Sequence, residues 1–174
     1  MVKTGIPFML NDRTGSLSGS EFVDLYDRIY LRVCCTHRDS NGASEYGMYN
    51  MLARHHEIPV ATFQYGAGGA LGNITFISSE GSMRTQAMAA FLVEVGGPRH
   101  RKFTASDGRE YSWSWRTSTQ EDLEWSCVNA NGHTVAWYAV SSGHMFGVEE
   151  PYPHLAIDFL ATLMIMRHIA ARNT

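Results

Sequence analysis

From about His154 to Ala171 the chain reads as a helix with hardly any polar side. Leu155, Phe159, Leu160, Leu163, Met164, Ile165 and Met166 cover nearly the whole circumference at about 100° per residue. Polar interruptions are few: Asp158 and Thr162 lie on one side, Arg167 and His168 elsewhere. A helix apolar all round must be surrounded by protein. Its apolar run, Phe159 to Met166, is interrupted by Thr162 and falls well short of the roughly 20 residues of a membrane span. Pro153 precedes it, and Arg167 and Arg172 stand near its C-terminus, where cations suit the helix dipole. At about 1.5 Å per residue such a helix is about 27 Å long, the span of a small domain.

Whatever encloses it must come from the residues before it, and these read as short strands rich in β-branched and aromatic side chains. The pattern predicts strands over Pro7–Leu10, Glu21–Leu25, Ile29–Thr36, Met48–Arg54 and Val60–Tyr65. It continues with Asn73–Ser79, Arg101–Ala105, Glu110–Arg116, Leu123–Asn129 and Thr134–Ser141. Turn signals separate them at Thr14-Gly15, Asn41-Gly42, Gly66 to Gly72, Asp107-Gly108 and Asn131-Gly132. In Glu110–Arg116, Tyr111, Trp113 and Trp115 share one face while Ser112, Ser114 and Arg116 share the other, a half-buried antiparallel strand. A two-residue turn at Asn131-Gly132 sets Trp125 opposite Tyr138, Cys127 opposite Ala136 and Leu123 opposite Val140. The same register turns Trp137 to the other face, beside Ser126. Between these, Met83 to Val95 is read as a short helix with an extended exit, ended by Gly96-Gly97-Pro98. The fold expected is mainly β: one domain over residues 1–174, an antiparallel barrel (strands within about 7–141) wrapped around the C-terminal helix (about 154–171).

A chain of 174 residues suits one domain with a sizeable core. Charged residues make up 18% against about 25% in an average globular chain, and with 44% hydrophobic residues this argues against disorder. A formal charge of −3 gives no general attraction to nucleic acid or anionic membranes. Cys34, Cys35 and Cys127 are an odd set, and adjacent strand cysteines point to opposite faces, so free thiols in a reducing compartment are expected. The first ten residues lack a basic region followed by a long apolar run, so cytoplasmic residence is the expectation.

Three blocks carry a resemblance. They are Arg101-Lys102-Phe103-Thr104-Ala105-Ser106-Asp107-Gly108-Arg109-Glu110-Tyr111-Ser112-Trp113, then Val135-Ala136-Trp137-Tyr138, then Ala156-Ile157-Asp158-Phe159-Leu160-Ala161-Thr162-Leu163-Met164. They resemble a large family of uncharacterised domains abundant in mushroom-forming basidiomycete fungi. The order of elements also resembles the tubby-like barrel of tubby, LURP-one-related and phospholipid scramblase proteins. The resemblance implies a barrel around a central helix and implies no activity, since fold alone licenses none.

Candidate chemistry is sparse. Arg99-His100-Arg101-Lys102 is the densest positive charge and a candidate anion or lipid-headgroup site, although strand geometry sends Arg99 and Arg101 one way and His100 and Lys102 the other. Lys102 over Trp113 is the alternative placement. The eight histidines show no metal-ligand spacing, so no metal and no cofactor are expected. Cys35 and His37 share a strand face at a separation too loose for a working pair. The Gly66–Gly72 stretch has no following lysine and reads as a hairpin rather than a phosphate loop. The acidic pairs Glu121-Asp122 and Glu149-Glu150 read as solvated loops. Tyr46, Tyr49, Tyr65, Tyr138, Tyr152 and Trp137 are candidates to line a groove for an apolar or sugar-like ligand, with Trp137 foremost. The leading expectation is a non-enzymatic binding module whose partner is a lipid headgroup, a small apolar molecule or a protein. Its competitors are a small-molecule enzyme whose His, Tyr and Asp acid and base meet only in three dimensions, and a defence or interaction protein.

Overall fold

A computed structural model gives the fold and describes residues 8–117, 123–141 and 143–172. Among the described residues thirteen strands pair antiparallel, and a long helix follows them. They fall into two compact units, one of residues 1–12 and 92–174, the other of residues 13–91.

The first, here the helix unit, has strands β1 (Phe8–Asp12), β8 (Val93–Glu94), β9 (His100–Thr104), β10 (Glu110–Thr117), β11 (Leu123–Asn129), β12 (Thr134–Ala139) and β13 (Met145–Val148). They are ordered β1-β13-β12-β11-β10-β9-β8. Alternation does what the sequence pattern demands. One row across the sheet runs Trp115, Trp125, Tyr138, Phe146, Leu10, and the next runs Trp113, Cys127, Ala136, Val148. All of these side chains are buried. Helix α2 (Ala156–Arg172), entered through a 3₁₀ turn at Pro153–Leu155, packs on that face. Phe159 meets the Tyr111 ring edge-on at 5.2 Å. Asp158 and Thr162, polar by sequence, are buried as well. Asp158 accepts from the Ser106 N–H and hydroxyl at 3.1 and 2.8 Å, and the Trp113 indole donates to the Thr162 hydroxyl at 2.8 Å. Both buried polar interruptions of the helix therefore have a partner outside it. The whole of Pro153–Arg172 is long and apolar enough to cross a bilayer, but most of it is buried in protein.

The second, the hairpin unit, runs β2 (Gly19–Val23), β3 (Ile29–Arg38), β4 (Ser44–Asn50), β5 (Ala61–Tyr65), β6 (Leu71–Ile77) and β7 (Met83–Ala87) in spatial order, a plain meander. A single turn of helix, α1 (Met88–Phe91), lays Phe91 edge-on to Phe76 at 5.8 Å.

Several expectations need correction. Met83–Val95 is mostly extended, with β7, then α1, then β8. The five residues of β7 alternate neither in polarity nor in burial, so no period of two was there to read. Strand β13 was missed because Gly147 reads as a breaker inside a four-residue strand. Strands expected at Glu21–Leu25 and Met48–Arg54 end at Val23 and Asn50. β1 does not pair with β8, nor β2 with β7, so neither unit closes on itself as the expected barrel would. The Asn131-Gly132 hairpin has the predicted Trp125–Tyr138 and Cys127–Ala136 pairs by a different route. Asn129 pairs its N–H with the His133 carbonyl around a three-residue loop, and a bulge beside Cys127 restores the register.

Candidate binding surfaces

The basic cluster does not stay together. In β9, Arg101 pairs across from Trp113 and so sits on the helix-side face, while Lys102 pairs with Ser112 on the opposite face. Arg101 donates to the Leu92 carbonyl and to Glu94, and its buried Nε has no partner among the described residues. Lys102 meets Glu110 at 3.2 Å, not the Trp113 ring, which is buried on the other side. Arg99 is exposed in the turn before β9, where its carbonyl accepts from Trp115. Two of the three cations already have carboxylate partners, which weakens them as an anion site.

Trp137 lies on the face of the helix unit away from α2. Its indole lies across Gly147 on the neighbouring strand, in the space a Cβ would fill, and donates to Glu149 Oε1 at 3.3 Å. The other aromatics are divided between the two units. Tyr46, Tyr49 and Tyr65 belong to the hairpin unit, and Tyr138 and Tyr152 to the helix unit.

The structure does assemble His, Tyr and Asp from distant parts of the sequence. The Tyr138 hydroxyl donates to Asp12 Oδ2 at 2.7 Å and lies 3.3 Å from His144 Nδ1. Arg167 of α2 reaches Asp12 at 3.4 Å and stacks over the Tyr138 ring at 4.5 Å. His144 holds a positive φ of 61°, with its carbonyl accepting from the Asp12 N–H at 2.8 Å. Asp12 and Tyr138 are each 1% exposed, out of reach of a substrate. Burial drives the Tyr138 phenol above its ordinary pKa, with Arg167 opposing and Asp12 reinforcing, so it stays a neutral donor. This cluster pins β1, β12 and α2 together, and its chemistry is that of a buried, charge-assisted hydrogen-bond network.

The remaining candidates are structural. Cys35 donates to the main-chain carbonyl of His37 across a bulge, so thiol and imidazole are not paired. The turn between β5 and β6 takes residues 66–70, and Leu71 and Gly72 already belong to β6. Glu149 holds the Trp137 indole instead of standing free, and Glu121-Asp122 lies outside the described residues.

Sequence reasoning missed the most exposed apolar surface. Of seven large apolar residues exposed among the described residues, five belong to the hairpin unit: Leu25, Tyr26, Leu52, Ile58 and Met83. Leu25, Tyr26 and Met83 are 83%, 79% and 72% exposed. Leu31 pairs with Asn50, Ala61 with both Met48 and Phe76, and Ile77 with Met83, which puts the connections β2–β3, β4–β5 and β6–β7 at one end of the sheet. The first tip is rigid. Asp24 Oδ1 accepts from the N–H groups of Tyr26 and Arg28 at 2.8 and 3.0 Å, and its Oδ2 accepts from Arg28 Nε at 2.7 Å. Desolvation opposes it, yet these donors hold the Asp24 carboxyl below its usual range. Braced by these bonds, the turn projects Leu25 and Tyr26 outward.

The profile of one family matches residues 23–170, which takes in most of both units. The chain belongs to DUF6593, a family of unknown function. No curated protein and no solved structure gives a match. As a DUF6593 member the chain inherits no activity, and its function has to be argued from its own surfaces.

Proposed function

We propose that this DUF6593 chain is a non-enzymatic binding module that docks on a lipid bilayer through the hairpin tips bearing Leu25, Tyr26, Leu52, Ile58 and Met83. The observation that carries the reading is their grouping, exposed, at one end of one sheet, on connections braced by hydrogen bonds such as those of Asp27 N–H to the Asp24 carbonyl and Gly81 N–H to the Ser78 carbonyl. Aromatic and aliphatic tips of this kind supply affinity for the interface of a bilayer. Charge sets the lipid preference. Arg28, Arg54 and Arg84 on or beside these connections face Asp24, Asp27, Glu57 and Glu80, three cations against four anions. Attachment is therefore apolar, indifferent to anionic headgroups, and insensitive to salt.

The test is co-sedimentation with phosphatidylcholine vesicles at low and high salt. Binding is expected at both, unchanged when Arg99, Arg101 and Lys102 are replaced by alanine. Replacing Leu25, Tyr26, Ile58 and Met83 by serine should abolish it. Each fully buried apolar side chain is worth about 1.5–3 kcal/mol, so losing even two costs about a hundredfold in affinity. Wild type that stays in the supernatant, or a tip variant that sediments equally, removes this reading.

The acid–base alternative has Asp12, Tyr138 and His144 as its material, and the burial of the first two speaks against it. Kinship with the tubby-like barrels and a fungal origin are part of the same proposal. They are supported by the order of strands followed by one buried apolar helix and by the three sequence blocks. Cytoplasmic residence is supported by the free thiols of Cys34 and Cys35 at least partly exposed on the hairpin unit.

A further inference from the structure

The loops at residues 39–43, 105–109 and 129–133 share one build. In each, the first residue donates its N–H to the carbonyl of the fifth at 2.9–3.0 Å, and the fourth, a glycine, donates back to the first at 2.9–3.3 Å. Gly42, Gly108 and Gly132 hold φ of 82°, 77° and 80°, a left-handed conformation that a side chain would strain. The third residue, exposed at the tip, is Asn41, Asp107 or Asn131. Each loop therefore sets a short carbonyl-bearing side chain directly before a main-chain nitrogen with no Cβ to shield it. That pairing is reactive, because the glycine nitrogen can close a cyclic imide on the side-chain carbon before it.

The three loops differ in how firmly each is held. Asp107 is tied by its side chain, which accepts from the Arg109 N–H at 2.9 Å and from the Tyr111 hydroxyl at 2.7 Å. Asn41 is tied by its main chain. Its carbonyl accepts from the Gly68 N–H at 3.3 Å, and the Gly68 nitrogen stands 3.5 Å from where a Cβ on Gly42 would lie. Asn131 has neither restraint. Its side chain and its carbonyl have no hydrogen-bond partner among the described residues, and apart from the chain neighbours nothing lies within 4 Å of a Cβ placed on Gly132.

We propose that Asn131 is a self-modification site, deamidating to aspartyl and isoaspartyl forms, the second of which is a substrate for an isoaspartyl carboxyl methyltransferase. The Gly132 nitrogen attacks Asn131 Cγ. The N–Cγ bond forms, the Cγ–Nδ2 bond breaks, and ammonia leaves with the proton that the Gly132 nitrogen gives up. Water then opens the imide. Breaking the new N–Cγ bond leaves an ordinary aspartyl residue. Breaking the bond from the Gly132 nitrogen to the Asn131 main-chain carbon leaves the chain running through Cγ, with the α-carboxylate free. Water is consumed, ammonia is released, and nothing is oxidised. Either product puts a negative charge at the β11–β12 tip beside His133. The isoaspartyl form also lengthens the main chain in the loop that joins the Trp125 and Tyr138 strands. The site belongs to the helix unit and is independent of the lipid reading of the hairpin tips.

The experiment is incubation of the full folded chain in mildly alkaline buffer, followed by proteolysis and mass spectrometry of the peptides carrying Asn41 and Asn131. Methyl transfer from S-adenosylmethionine by a purified isoaspartyl methyltransferase is read in parallel. Asn131 should convert faster than Asn41 by about two- to tenfold, the factor that one net hydrogen bond supplies when the loop must open before attack. In guanidinium the two sites should convert alike, since each is then an asparagine followed by glycine. Asn131→Gln should remove most of the methyl acceptance, because glutamine would have to close a larger ring. Conversion at Asn41 as fast as at Asn131 in the folded chain, or the same ratio folded and unfolded, overturns the proposal. So does an Asn131 that stays intact while the unfolded chain converts, or methyl acceptance that N131Q leaves unchanged.

Discussion

The helix unit and the hairpin unit use the same device to turn their chains, yet one end of the hairpin unit puts opposite chemistry at the tip. In the helix unit, Asp107 accepts from the Arg109 N–H, and Asn129 accepts from the N–H groups of Asn131 and His133. In the hairpin unit, Asp24 accepts from Tyr26 and Arg28, and Asn50 accepts from Leu52. These are the short polar side chains that mimic a backbone turn. The residues they present differ: Gly108, Arg109, Gly132 and His133 in the helix unit, and Ser40, Asn41 and Gly42 at the Asp39 turn of the hairpin unit, against Leu25, Tyr26 and Leu52 at its Asp24 and Asn50 turns. Turn geometry therefore does not require apolar tips. Leu25 and Tyr26 stand exposed to water, and the bilayer proposed above is what would cover them.

The comparison breaks most readily at α2. Ending the chain at Tyr152 removes the buried helix against which Tyr111, Trp113 and Phe103 pack, and soluble folding should be lost. A stable, folded, monomeric fragment ending there would contradict the packing described.

The next effect is that of Asp12→Ala, which leaves Arg167 and the Tyr138 hydroxyl without their shared acceptor. A loss of about 3–5 kcal/mol is expected in chemical denaturation, the usual result of orphaning a buried charge. Retention of wild-type stability would show that the cluster does not pin β1 to α2.

Alkaline pH should sharpen the contrast. Burial raises the pKa of the Tyr111 and Tyr138 phenols and of the Cys127 thiol in the helix unit, and of the Tyr65 and Tyr49 phenols in the hairpin unit. A group neutral and buried when folded contributes stability that is complete below its unfolded pKa and is lost as pH rises toward the higher folded value. With three such groups against two, the helix unit should lose protection more steeply than the hairpin unit as pH rises above about 9, read by hydrogen exchange in each. Equal slopes would mean that the phenols of the helix unit reach water.

The smallest effect on stability belongs to the tips. Leu25→Ser with Tyr26→Ser should change unfolding free energy by no more than about 0.5 kcal/mol, because neither side chain is buried.

What the sequence made legible follows from how local each signal is. The terminal helix declares itself because its apolar side chains saturate every direction, and β10 because Tyr111, Trp113 and Trp115 alternate without a break. The turn beside Trp137 places it correctly on the outer face. The Asp12 cluster is invisible in the sequence, since its members lie up to 155 positions apart and nothing local marks Asp12 as buried. The apolar tips escape for a different reason. Leu25 and Leu52 continue strand-like apolar runs, so the pattern extends the strands through them. Asp24 and Asn50 end those strands by capping the turns, and such residues within an apolar run are the signal that marks the tips.

One measurement tests the lipid account most directly: fluorescence of a Tyr26→Trp variant on phosphatidylcholine vesicles carrying bromine at defined depths in the acyl chain. The account predicts that the indole introduced at position 26 is quenched most by bromines near the headgroup end. Binding of the variant without quenching at position 26 would contradict it.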